Sequence, residues 1–152
     1  MQKEKVLDGL RKAKQEHINW MHLIKLMVYG FGIKREDAPL NPIESGFGKW
    51  FYGDAQKLKA LPNTKLECMS HVESSHLKTH DIYFKIHAIC FKNQSHRFVS
   101  NLLNRKVTEQ ERDLVQEYYK ELSEASKELM SNTLRFEKRI LAISSEEIER
   151  IW

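Results

Sequence analysis

Three histidines are spaced so that they could share one metal ion. His76 and His80 are four residues apart, and on a helix that spacing stacks two side chains on one face. His17 falls on the apolar seam of a separate helical stretch. If the two seams face each other, three neutral imidazoles enter one layer. Three imidazoles with an open or variable fourth position suit zinc, and other transition metals take the same donors. His87 lies seven residues past His80, about 10 Å along a helix, too far to share that ion. It reads as a core residue or an outer partner of the site. His22, His71 and His96 fall off the seams and read as surface residues. Glu73 precedes His76 by three and is a candidate fourth ligand or a partner that orients an imidazole.

The elements that must position these residues are helices. The first seam runs Val6, Leu10, Ala13, His17, Trp20, Ile24, Met27, Phe31. Its steps alternate between four and three, so an amphipathic helix is expected over about residues 4–30, ending near Gly30 and Gly32. Asn41-Pro-Ile-Glu44 has an Asn cap, Pro at the first position and Glu at the third, which predicts a short helix to about Ala60. Thr64 and Glu67 form a capping-box pattern before a helix to about Lys92. Its seam is Met69, Glu73, His76, His80, Tyr83, His87, Cys90, flanked by Val72, Thr79, Ile82, Ile86 and Ile89. Asn93-Gln-Ser95 reads as a kink, with His96 to Asn104 prolonging the helix. Thr108–Glu111 opens another helix, with Leu114, Tyr118, Leu122, Ala125, Leu129, Thr133, Phe136, Ile140 and Ile143 on its seam. Ser144–Glu147 restarts a terminal helix. The expected fold is all-α, an antiparallel four-helix bundle with a short extra helix.

Composition agrees with this. The chain has 152 residues, 41% of them hydrophobic and 30% charged, which suits a single soluble domain over 1–152. Six Gly and three Pro argue against a turn-rich all-β fold. No apolar run reaches the ~18 residues of a membrane span, and no apolar signal region follows Met-Gln-Lys-Glu-Lys, so a secretory leader is not expected. The two cysteines, Cys68 and Cys90, would stand ~33 Å apart on one helix, too far to bridge; a reducing cytoplasm is expected. Residues 1–105 carry 17 basic and 10 acidic side chains, a net +7, and the remainder 8 and 11, a net −3. Acids are interleaved with bases throughout, so no nucleic-acid face is expected.

His17-Ile-Asn-Trp20, Phe47-Gly-Lys-Trp50 and Ser75-His76-Leu-Lys-Thr-His80, in that order, resemble the chemoreceptor zinc-binding domain family over about residues 10–90. The ordered set, with Gly-Lys-Trp between its outer members, is fairly specific. The resemblance implies a cytoplasmic helical sensory module, commonly a homodimer, that regulates chemotaxis receptors or diguanylate cyclases in signal transduction. It also implies zinc bound by three His and one Cys, some members answering oxidants through the bound thiolate. The three histidines correspond to His17, His76 and His80. The family cysteine falls three residues before the Gly of Gly-Lys-Trp, where this chain has Ser45. That departure leaves weaker zinc, a fourth ligand drawn from water, Glu73 or Glu44, or a site without metal, and it removes the basis for thiolate-based oxidant sensing. Cys68, roughly 12 Å along the helix from His76, is a poor substitute.

No acid–base pair, phosphate loop or nucleophile motif is recognisable, so a non-enzymatic module is expected, its output lying on a separate signalling protein, on a longer chain of which this is a piece, or in the domain acting alone. The alternative is a small helical-bundle metalloprotein, either a metalloenzyme with an open metal position or a hemerythrin-like di-iron carrier. The carrier needs a His-x-x-x-Glu pair, and the residues four beyond His17 and His22 are Met21 and Leu26.

Overall fold

The computed structural model describes residues 2–62, 66–91, 98–99 and 108–152. The fold is all-α. Three long helices, α1 (Gln2–Val28), α3 (Glu67–Cys90) and α4 (Glu109–Ala142), are accompanied by two short ones, α2 (Gly46–Phe51) and α5 (Ser145–Ile151). Ile33–Lys34 (β1) and Phe98–Val99 (β2) form a two-residue antiparallel pair. Thr64, the Asn93–Ser95 kink, and the stretch from His96 with the prolonged helix lie outside the described residues, except for that pair. None of the described helices is long and apolar enough to cross a membrane.

The helix ends follow from local chemistry. Thr108 and Ser144 each accept a bond from the backbone N–H three residues on, and Glu111 and Glu147 bond back to the cap. Each box satisfies two of the donors a helix start leaves unpaired. At the far end of α4 the Lys3 ammonium donates to the carbonyls of Leu141 and Ile143, at 2.8 and 2.6 Å, tying the α4 terminus to the start of α1. α1 stops earlier than its seam suggests. Gly30 takes φ 89°, a left-handed turn that glycine accepts without strain. Phe31 is therefore turned out and 60% exposed, whereas the other seven seam residues are buried.

The region around Pro42 also differs from expectation. Asn41 does cap, accepting from Ile43 N–H, but only the single 3-10 turn Pro42–Glu44. The helix proper begins after Ser45, whose hydroxyl accepts from Gly48 N–H at 3.0 Å. After Phe51 the chain continues as a 3-10 helix over Asp54–Ala60.

α4 runs antiparallel to both other long helices. His17, Lys14 and Lys3 of α1 meet Ser126, Glu137 and Leu141, and Lys78 and Ser75 of α3 meet Glu128 and Asn132. The interface of α3 with α4 is the most extensive, while α1 touches α3 little directly and packs on α2 instead. On α4 the first seam positions shift by one residue. Val115 is buried, Leu114 is 42% exposed and Tyr118 is half-buried.

The core falls into two apolar clusters. One gathers Leu10, Phe47, Phe51, Leu58, Val72, Leu129, Phe136 and Ile140. The other gathers Trp20, Ile24, Met27, Ile82, Tyr83, Ile86 and Leu122. Each such side chain contributes roughly 1.5–3 kcal/mol by leaving water. Along α1, α3 and α4 the clusters are separated by polar side chains: His17, then Ser75, His76, Thr79 and His80, then Ser126.

Candidate metal centre

His17, His76 and His80 lie in that polar layer and are buried, at 2%, 0% and 3% exposure. The rings of His76 and His80 are 4.8 Å apart. Phe47 of α2 packs against His17 and His76, at 6.2 and 4.8 Å between ring centres. Trp20 lies against His17 at 5.5 Å and stacks on His80 at 4.5 Å. Two helices that touch little thus meet here through aromatic and imidazole rings.

Ser45 completes the layer from α2. Its Oγ is 3.3 Å from His76 Nε2 and donates to the Pro42 carbonyl at 2.8 Å. Gly48 makes this turn possible, since a Cβ there would overlap the Pro42 carbonyl oxygen. That is the physical need for glycine in Gly48-Lys-Trp50, which local sequence reading left unexplained.

The hydrogen bonds select tautomers. His80 Nδ1 is 2.8 Å from the Leu40 carbonyl, an acceptor, so Nδ1 carries the proton and Nε2 is a bare lone pair. Ser45 uses its hydroxyl hydrogen in the bond to the Pro42 carbonyl and can only accept from His76 Nε2–H, which leaves His76 Nδ1 as the lone pair. His76 Nδ1 and His80 Nε2 are both buried with no partner. An unmet buried polar atom costs about 1–3 kcal/mol and calls for an explanation such as an ion. His17 Nε2 stands 2.8 Å from Ser126 Oγ.

Burial keeps the imidazoles neutral. His17 is lowered to about 4, chiefly by burial and then by His80. His76 is lowered to about 3 by burial, then by His80 and His17. His80 is lowered by burial, against the Leu40 carbonyl and Asp81. Neutral imidazole is the form that binds metal.

Glu73 and Glu44, the expected alternative donors, stand elsewhere. Glu73 is half-buried, lines a hollow with Phe51, Lys59 and Leu77, and raises the Tyr52 phenol's pKa after burial does. Glu44 is exposed. Cys68 is half-buried in the first turn of α3, and Cys90 is buried at its other end in the second cluster, its thiol pushed up to about 12 by burial; neither is disulfide-bonded. His87 is half-buried between Tyr83 and Phe91, at 5.8 and 4.5 Å between ring centres. His22 and His71 are exposed. Ser126 and the Leu40 carbonyl were missed from sequence. Ser126 is one residue past the seam position Ala125, and a backbone carbonyl leaves no trace in residue type.

As oriented here, no three His, Cys, Asp or Glu side chains among the described residues form a metal-holding group. The donor types nevertheless fit zinc: two orphaned imidazole nitrogens belong to rings 4.8 Å apart, and the third imidazole and Ser45 share their layer. For metal to take His17 through Nε2, that nitrogen must give up Ser126. No family model, characterised protein or solved structure matches the chain.

Proposed function

We propose that this chain is a sensory or regulatory module that binds one zinc ion through His17, His76 and His80. In this reading it is a variant of the chemoreceptor zinc-binding domain family with Ser45 in place of the ligand cysteine. Its helices form an antiparallel four-helix bundle with a short extra helix, and it acts as a cytoplasmic homodimer. Metal entry or loss alters helix packing or dimer geometry, and a separate output protein reads the change in chemotaxis or diguanylate cyclase signalling.

The observation that carries this is the pair of buried, partnerless nitrogens, His76 Nδ1 and His80 Nε2, in one layer with His17. A bound cation satisfies both lone pairs at once. Zinc held there would act by drawing α1 and α3 together, since its donors come from two helices with little other direct contact. A di-iron centre needs bridging carboxylates, and Glu73 and Glu44 do not enter the layer.

Metal analysis of the purified protein, with its mass in solution, tests the proposal. One zinc per chain and a dimer mass are expected, with the metal lost in His76→Ala. Stoichiometric zinc retained by His76→Ala would show the assignment to be wrong.

A further inference from the structure

Three consecutive carbonyls of the segment before α2 are each held by a side chain from the core. Tyr83 Oη donates to Ala38 at 2.8 Å, Trp20 Nε1 to Pro39 at 3.0 Å, and His80 Nδ1 to Leu40 at 2.8 Å. The three donors are themselves packed together. Trp20 stacks on His80 and meets Tyr83 edge-on, with 5.1 Å between the Trp20 and Tyr83 ring centres. Five residues past Leu40 the same segment reaches Ser45, 3.3 Å from His76. It therefore touches the histidine layer at both ends. On its outer side Glu36, Asp37, Pro39 and Glu44 line a groove shared with α1.

We propose that Tyr83 is a positioning residue for the histidine site, acting through this segment, and that the segment is where occupancy of the site is reported. The second half rests on the zinc reading above. The Leu40 carbonyl keeps the proton on His80 Nδ1 and so keeps the lone pair on Nε2, the arrangement by which outer partners orient a metal-binding histidine. Leu40 can do this only while the segment is held. Without the Tyr83 hydroxyl the Ala38 carbonyl is buried and unpaired, and the segment moves to satisfy it. Leu40 then leaves His80, and the two tautomers mix. Coupling of this kind is reciprocal: a segment that tunes metal affinity is itself steadied when metal binds.

The test compares the 152-residue chain with Tyr83→Phe, which removes one oxygen from a ring that stays packed. Tyr118→Phe, on a half-buried tyrosine that is not one of the three donors to the segment, is the control. In metal-free protein, long-range ¹H–¹⁵N spectra should show His80 as the Nδ1–H tautomer in the parent and in Tyr118→Phe, and as a mixture in Tyr83→Phe. An unchanged tautomer in Tyr83→Phe overturns the positioning role, whatever zinc does. With zinc chloride, competition titration should show Tyr83→Phe binding on the order of tenfold more weakly, and zinc should slow amide exchange over residues 36–44 in the parent. Zinc bound with no change in that exchange overturns the reporting role. Failure of the parent to bind zinc overturns the metal reading and the reporting role with it, and leaves the tautomer comparison to decide the role of Tyr83.

Discussion

The indole of Trp20 lies over the imidazole of His80, ring centres 4.5 Å apart and planes inclined by 29°. One residue thereby closes the second apolar cluster, walls the histidine layer and, through its N–H, holds the Pro39 carbonyl. Trp20→Ala removes all three and should cost ~3–5 kcal/mol, as for other large core truncations. Trp50 is only half-buried, 6.2 Å from Phe136 between ring centres, so Trp50→Ala should cost less. Urea unfolding of both variants checks the order. Unchanged stability in Trp20→Ala, with lost metal binding, would instead mark a direct functional role.

Ser45→Cys should bind zinc more tightly, by more than ~1.4 kcal/mol or about tenfold. A thiolate adds a negative charge and a soft donor ~2.3 Å from the metal, where serine supplies a neutral hydroxyl. The same change should introduce sensitivity to peroxide that the parent lacks at this position. It carries a stability cost, because the Ser45 hydroxyl caps α2 through Gly48 N–H and losing such a cap costs about 1 kcal/mol. Competition titration before and after mild peroxide gives both readouts. Equal zinc affinity in the two proteins would take Ser45 away from the metal.

Acid should destabilise the metal-free protein. His17 and His76 titrate near 6.5 when unfolded and near about 4 and about 3 when folded. The unfolded chain therefore binds more protons between those values, and stability present above pH 6.5 is lost as pH falls through the window. Each histidine still neutral in the fold contributes a slope of up to ~1.4 kcal/mol per pH unit. Urea midpoints measured from pH 7.5 to 4 should fall steadily below 6.5. A flat profile would mean that the imidazoles are not held neutral by burial.

Asn132 is buried where α4 meets α3. Its Nδ2 donates to the His71 carbonyl and to Ser75 Oγ, each at 3.2 Å. This holds α4 in register with the turn that carries His76, so variants there would disturb the layer without touching a ligand.

The sequence by itself determined which faces of the helices turn inward. Alternating steps of four and three placed His17, Trp20, His76, His80 and Tyr83 on buried seams, and the Ser/Thr-x-x-Glu patterns located the starts of α4 and α5. Those signals are local, since periodicity and capping act within a few residues. Only the tertiary structure decided what each buried polar atom meets. The turn at Gly30 exposed Phe31, and a one-residue rotation at the start of α4 exchanged Leu114 for Val115. Glu73 kept its seam position but stayed at the edge, beside Tyr52. The carbonyls of Ala38, Pro39 and Leu40 found Tyr83, Trp20 and His80 at separations of 45, 19 and 40 residues. Every residue type carries the same backbone carbonyl, so which three reach the core depends on how the segment packs across α1 and α3.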